Sequence, residues 1–315
     1  MHCSPARHSI APSFRARDYV TGEEFAVGHC ADCGLDLTQP QPEAISAYYP
    51  AEYYGRLGTR RFPAPVEWGQ RTLYGWRAKA VERIAGGLGR VLDIGCGPGA
   101  LLDAFRRRGW ETLGTELTEE SAARARQSGM PMHVGPLDSW PWPDGHFDAV
   151  SMWHVLEHWP EPLPVLKRVW SLLRPGGVFL VSVPNFGSPE ARLARDGWFH
   201  LDVPRHLVHF TGGSLGAVLT AVGFSIRKRS FFAPEFDTFS LVQSALNRLG
   251  LKHNLLYNLL RGRGAKVTGA ASGAQLAATV ALGAVLGPLA LPATTLLGMG
   301  GWGSTLTVFA VKQTG

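Results

Sequence analysis

A chain of 315 residues, 45% hydrophobic and only 18% charged, can bury one large core plus a small appendage. Its formal charge of +6, from 31 Lys and Arg against 25 Asp and Glu, is modest and mostly local, which argues against nucleic-acid binding as its main business. The start MHCSPARHSI lacks an apolar stretch behind a basic region, and the four cysteines do not resemble a secreted disulfide framework, so we expect a cytoplasmic protein whose cysteines are thiols or metal ligands.

Residues 1–62, rich in Pro, Tyr, His and Cys, show no sustained period and read as a small irregular lobe. Within it HCADCGL places Cys30 and Cys33 at zinc-knuckle spacing, with Cys3 a possible third ligand and His2, His8 or His29 a fourth. Structural zinc and a pair of buried thiols both stay open. AYYPAEYYG follows, with Tyr53 and Tyr54 packing the lobe or roofing a site.

Organised periodicity starts at Trp68, where Leu73, Trp76, Ala80, Ile84 and Leu88 recur at helical spacing until Gly86 and Gly87 stop the helix. Short apolar runs then alternate with helical segments: VLDIG, LLDAFRRRG, ETLGTEL, SAARARQSG, MPMHVG, FDAVSMW, LPVLKRVWSLLRPGG and VFLVSVPN. Strands alternating with helices imply right-handed crossovers and a parallel sheet covered on both faces, here with five consecutive parallel strands. A polar insert (186–211), a helix at SLGAVLTAVGF, a strand near Phe224–Phe232, a long apolar excursion and a last strand TLTVFAVK complete the chain. The expected organisation is a lobe at 1–62, a core at 63–232, an apolar helical insertion at 233–304 and a final core strand at 305–315.

The stretch VLDIGCGPGALL at 91–102 ends a buried strand on Asp93 and continues through Gly95, Cys96, Gly97 and Gly99 into a helix. Glycines let the backbone approach a ligand, and the helix start offers unpaired N–H groups, at the strand end where open α/β sheets bind ligands. Glu116, 17 residues beyond Gly99 at the end of ETLGTEL, can accept hydrogen bonds from two ribose hydroxyls. The spacing is G-x-G-x-G with an acid two residues ahead, not the G-x-G-x-x-G of nicotinamide-dependent dehydrogenases; Asp93 would repel a pyrophosphate and attract a cationic amine.

From Gly89 to Asn185 the chain resembles class I methyltransferases related to the ubiquinone and menaquinone biosynthetic enzymes. Four pieces in order carry the resemblance: LDIGCGPG, PDGHFDAV, HVLEHWPEP and LLRPGGVFLVSVPN. It implies a Rossmann-like α/β fold with a seven-stranded sheet, the last strand antiparallel, and S-adenosylmethionine across the ends of the first two strands. By the same resemblance Asp93, Gly95, Cys96, Gly97 and Gly99 hold the methionine part, Glu116 the ribose, and Leu117 and Trp153 adjoin the cofactor. Many relatives have an adenine-binding Asp where this chain has Pro136, leaving that contact to Leu137 or Asp138.

Methyl transfer from a sulfonium needs an aligned nucleophile, and a base only if the acceptor is protonated. Histidine serves that role near neutral pH. His154 and His158 in HVLEH, and Asp202, Arg205, His206 and His209 in WFHLDVPRHLVHFT, are the candidates, with bracing or internally bonded loops the structural alternative. In some quinone-modifying relatives a Glu stands where His154 does and helps hold a divalent metal, which weakens a metal reading here.

From Val267 to Val311, 45 positions, there is no charged residue, and Arg248, Lys252, Arg261, Arg263 and Lys266 stand upstream. Residues 274–298 are long enough to cross a bilayer, but Pro288, Pro292 and several glycines interrupt them, and the final strand must return to the sheet. A helical hairpin lying on an anionic membrane surface is permitted, as is packing against the sheet edge, the acceptor pocket or a second subunit. The expected acceptor is an oxygen of a hydrophobic or lipid-linked small molecule. A soluble sugar or natural product, and a catalytically silent scaffold, stay open.

Overall fold

The computed structural model describes residues 9–49, 64–260 and 271–313. Seven strands form the central sheet: β4 (Arg90–Ile94), β5 (Glu111–Glu116), β6 (Met132–Val134), β7 (Phe147–Trp153), β8 (Leu173–Pro184), β10 (Phe224–Ser230) and β11 (Thr305–Lys312). Their spatial order is β10-β11-β8-β7-β4-β5-β6. The five strands expected to be parallel are so, while β11 runs antiparallel to both β8 and β10. The order reverses at β4, with β5 on one side and β7 on the other. There the loops leaving adjacent strand ends diverge and open a crevice.

Alternation explains the continuous apolar runs. Phe179, Val181 and Val183 of β8 enter the core beneath α4 (Pro162–Leu172) and α6 (Gly212–Val222), whereas Val178 and Leu180 enter the core beneath α1 (Ala64–Ala85) and α2 (Ala100–Arg106). Both faces are covered, so apolar residues occupy successive positions, and the buried exceptions, such as Ser182 bonded to Thr307, are hydrogen-bonded. The second crossover runs through α3 (Glu119–Gln127), started by a Thr118–Ser121 capping box.

Helix α1 forms where expected, but its buried stripe is Tyr74, Arg77, Ala78 and Val81, one residue out of phase with the predicted face; Trp76 is 62% exposed. The reason is Arg77. Its guanidinium packs over the Trp153 ring and pairs with Glu235, so a charged residue takes a core-facing position that hydropathy assigns to solvent.

The amino-terminal region, expected to be irregular, contains β1 (Ile10–Arg17), β2 (Glu24–Cys30) and β3 (Asp36–Gln39) in an antiparallel meander, extended by β9 (Val208–His209) from the polar insert. Its strands are short and β1 is exposed at most positions, so the period-two signal is faint. Cys30 and Cys33 are buried around the β2–β3 turn. His29 points to the opposite, exposed face and lies 3.5 Å from Asp36, so it does not join the cysteines as a metal ligand. Cys3, His2, His8, Tyr53 and Tyr54 lie outside the described residues.

Between β10 and β11 the chain forms α7 (Pro234–Arg248), α8 (Leu255–Leu260) and α9 (Gly273–Met299). Despite Pro288 and Pro292, α9 is one continuous 27-residue helix.

Candidate functional site

The β4–α2 loop carries the first half of the site. Gly95, Gly97 and Gly99 all have positive φ, and a side chain on Gly95 would also strike Val155, its Cβ lying 2.7 Å from Val155 Cγ2. That contact sets the HVLEH segment directly against the glycine loop. Glu116 Oε1 accepts from the Gly97 N–H at 2.6 Å, tying the two strand ends together. Asp93 is buried and accepts from Ser151 Oγ at 2.6 Å. Burial outweighs the Ser151 hydrogen bond and, with the nearby Glu116 charge, raises the Asp93 carboxyl to about 7. Glu116 is raised as well, mainly by burial.

Two neighbouring carboxylates are thus held at an energetic cost, the pattern of a site built for a cationic ligand with hydroxyls. Leu117 is 67% exposed beside them, and Leu137 and Asp138 lie on a short 3-10 turn after β6. Cys96 turns its sulfur away, 3.6 Å from the Met132 sulfur, so only its backbone is available to a ligand. Burial pushes its thiol far up and keeps it protonated.

The second half follows β7. Trp153 lies between Tyr74, Arg77 and Phe236. His154 has φ 53, a left-handed conformation that non-glycine residues seldom adopt. Its ring stacks on His200 and contacts Phe236 at 4.7 Å; its Nδ1 is 3.4 Å from Glu157 Oε1, and its buried Nε2 has no partner.

Glu157 is fully buried, with His206 Nε2 at 3.9 Å and no well-aligned donor on either oxygen. Burial alone would raise this carboxyl, but His154, His206 and His158 overcome it and bring it down to about 2. His206 Nδ1 donates to the His200 carbonyl at 2.8 Å, and His158 Nδ1 donates to the Arg205 carbonyl at 2.9 Å. Ligand atoms of Glu157, His158 and His206 lie within 4.8 Å of one another, close enough to hold a divalent cation.

The polar insert contributes less directly than its composition suggests. His209, expected beside the other histidines as a catalytic candidate, sits in β9, where its Nε2 bonds Thr38 Oγ1 at 2.8 Å and burial lowers it to about 3. Asp202 and Arg205 form a buried cluster with Asp18 of the lobe: Arg205 donates to Asp18 at 2.8 Å, to Asp202 at 2.9 Å and to the Tyr48 carbonyl at 3.0 Å. These residues clamp the lobe to the insert and so position His206. His200, Phe236 and Arg77 escaped sequence reasoning. Their only signal was a charge or ring in an otherwise amphipathic segment.

A family model described as a methyltransferase domain matches residues 67–229. The ubiquinone biosynthesis O-methyltransferase of Acinetobacter baumannii (strain AYE) is 31% identical over 119 residues, 35% of this chain and 50% of that protein. The enzyme of the same name from Xanthomonas campestris pv. campestris (strain B100) is 36% identical over 103 residues, 30% of this chain and 43% of its own. The chain therefore spans about half or less of the length of these curated relatives. Among solved structures, an S-adenosylmethionine-dependent methyltransferase from Mesorhizobium loti aligns with TM-score 0.44 at 21% identity, covering 78% of this chain and 97% of its own. One from Archaeoglobus fulgidus aligns with TM-score 0.47 at 20% identity, covering 77% and 94%.

Proposed function

The chain belongs to the methyltransferase-domain family, and we propose that it transfers a methyl group from S-adenosylmethionine to an oxygen of a hydrophobic or lipid-linked small molecule. The observation that carries the cofactor assignment is the pair Asp93 and Glu116, two buried acids flanking a loop whose glycines admit close approach. Asp93 would hold the amino group of the methionine part and Glu116 the ribose hydroxyls, with Leu117 against adenine. When bound, the cofactor supplies a methyl group on a cationic sulfur.

The remaining work falls to the chain's own residues. His154 Nε2 is the buried atom able to take the acceptor's hydroxyl proton. Glu157, ionised at neutral pH, faces Nδ1 of the same ring and stabilises the imidazolium that results. Trp153, Phe236 and the stacked His200 enclose His154 in aromatic surface, which supports a hydrophobic acceptor. The cysteine lobe and insert act from outside by fixing His206 and His158. Structural zinc stays a proposal resting on Cys3, Cys30 and Cys33, tested by metal analysis with a Cys30→Ser control.

Calorimetric titration with S-adenosylhomocysteine and, separately, NADH tests the cofactor assignment. Homocysteine-analogue binding that is lost in Glu116→Ala supports it; NADH binding overturns it.

A further inference from the structure

Helix α9 is turned inside out relative to a helix of a water-soluble protein. Its buried stripe includes the hydroxyls of Thr279 and Thr294, the latter 3.1 Å from Thr238 of α7. Its outer stripe carries Val280, Val285, Leu289, Leu291, Leu296 and Met299, each more than half exposed and with no charged side chain among them. At about 1.5 Å per residue this stripe, from Val280 to Met299, is ~30 Å long. The helix is long and apolar enough to cross a membrane, yet only 11% of its most apolar 18-residue stretch is buried. Monomeric soluble proteins rarely expose a contiguous apolar patch of that extent.

The charge distribution says what covers it. No Asp or Glu occurs after Asp237, a stretch of 78 residues, while Arg248, Lys252, Arg261, Arg263, Lys266 and Lys312 all fall within it. Five of the six bases precede α9, of which Arg248 pairs with Asp196 at 3.4 Å; the sixth, Lys312, is spent inside the fold on the Leu173 carbonyl and the Trp170 ring. A dimer contact has no need to be free of acids over such a length; an anionic lipid surface does. Trp302, 61% exposed just past the helix, is the residue type that settles at headgroup depth.

Insertion across the bilayer is ruled out by the fold. β11 begins six residues after Met299 and lies between β8 and β10, and α9 packs along α7 and α8 through Ala290, Leu286 and Leu282.

We propose that the outer face of α9 lies in the plane of an anionic membrane surface, favoured by the excess of bases over acids in this part of the sequence. α7 links this surface to the site: Thr238 bonds α9, and two residues earlier Phe236 packs on His154 and Trp153. α7 therefore joins the helix that would meet lipid to the ring packed on His154. The surface stands on its own observations; its meaning for a lipid-linked acceptor rests on the methyltransferase reading.

Flotation of the full chain with phosphatidylcholine vesicles, with and without phosphatidylglycerol, tests the proposal. The wild type should float with the anionic vesicles and more weakly with the neutral ones. Leu289→Glu combined with Leu296→Glu should cut the partition coefficient by roughly a hundredfold, since two buried leucines are exchanged for charges. Leu193→Glu, on an exposed site elsewhere, should leave flotation unchanged. Melting and S-adenosylhomocysteine binding should be equal in all three proteins, which separates failure of the surface from failure of the cofactor site. Wild-type protein that stays at the bottom with anionic vesicles at low salt overturns the proposal. So does flotation that the double substitution leaves intact. An α9-dependent dimer in sedimentation without flotation overturns it in favour of a second copy.

Discussion

Asp93, near the end of β4, and Glu157, just past the end of the adjacent β7, are both buried carboxylates, yet one is raised to about 7 and the other lowered to about 2. Burial is the largest influence on each and pushes both upward. What differs is the company. Asp93 faces a hydroxyl and a second acid, so its charge stays uncompensated; Glu157 faces three imidazoles. The first arrangement suits a cationic ligand that arrives from solution, and the second keeps a permanent negative charge beside His154, the proposed base. Neighbours, not depth, assign the roles.

The contrast is tested most severely at the base. His154→Ala should lower kcat by about 10²–10⁴-fold, the usual worth of a general base, while leaving S-adenosylhomocysteine affinity intact in titration calorimetry. Glu116→Ala should do the reverse at the other half. It removes charge-assisted hydrogen bonds to two hydroxyls and should weaken S-adenosylhomocysteine by roughly 10²–10³-fold with little change in Tm. Loss of affinity in the first variant, or none in the second, would merge the two regions into one.

Stability as a function of pH should then separate the two acids by sign. Glu157, lowered from 4.5, contributes stability that is present above pH 4.5 and lost as pH falls through about 2. Glu157→Gln should therefore cost about 2 kcal/mol in urea unfolding at neutral pH and progressively less in acid. Asp93, raised from 3.8, behaves oppositely: its contribution is present below pH 3.8 and lost as pH rises through about 7. Asp93→Asn should gain stability relative to wild type at pH 8 but not at pH 4. Ionisation of Asp93 should also strengthen S-adenosylhomocysteine binding, by up to about tenfold per unit through that range, in a trend that Asp93→Asn flattens.

The smallest effect should come from the adenine side. Leu117 is exposed, so Leu117→Ala should change S-adenosylhomocysteine affinity only a few-fold, in line with partial burial of one leucine.

The cofactor half was legible because it is local in the chain. Asp93 and the glycines are contiguous, and Glu116 is fixed by one βαβ unit whose length is set by a single helix. The histidine half was only partly legible. HVLEH announced itself and supplies two of the imidazoles around Glu157, but the third, His206, comes from the insert about 50 residues on, and which of the insert's histidines turn inward depends on how the lobe grips it. Sequence reading grouped His206 with His209 and Arg205. The fold sends His206 to Glu157, while His209 goes into the lobe sheet and Arg205 onto Asp18.

Period and punctuation thus determined the five parallel strands, the glycine loop and the apolar character of α9, because each follows from spacing within a few turns of chain, whereas the seven-stranded sheet with its antiparallel last strand was implied by the family resemblance. Tertiary structure alone decided which face of α1 is buried, since Arg77 needed Trp153 and Glu235 from distant segments to be admitted to the core. It alone decided the opposite fates of two buried acids, and which side of α9 faces out. Those outcomes depend on electrostatic and packing partners that no local pattern encodes.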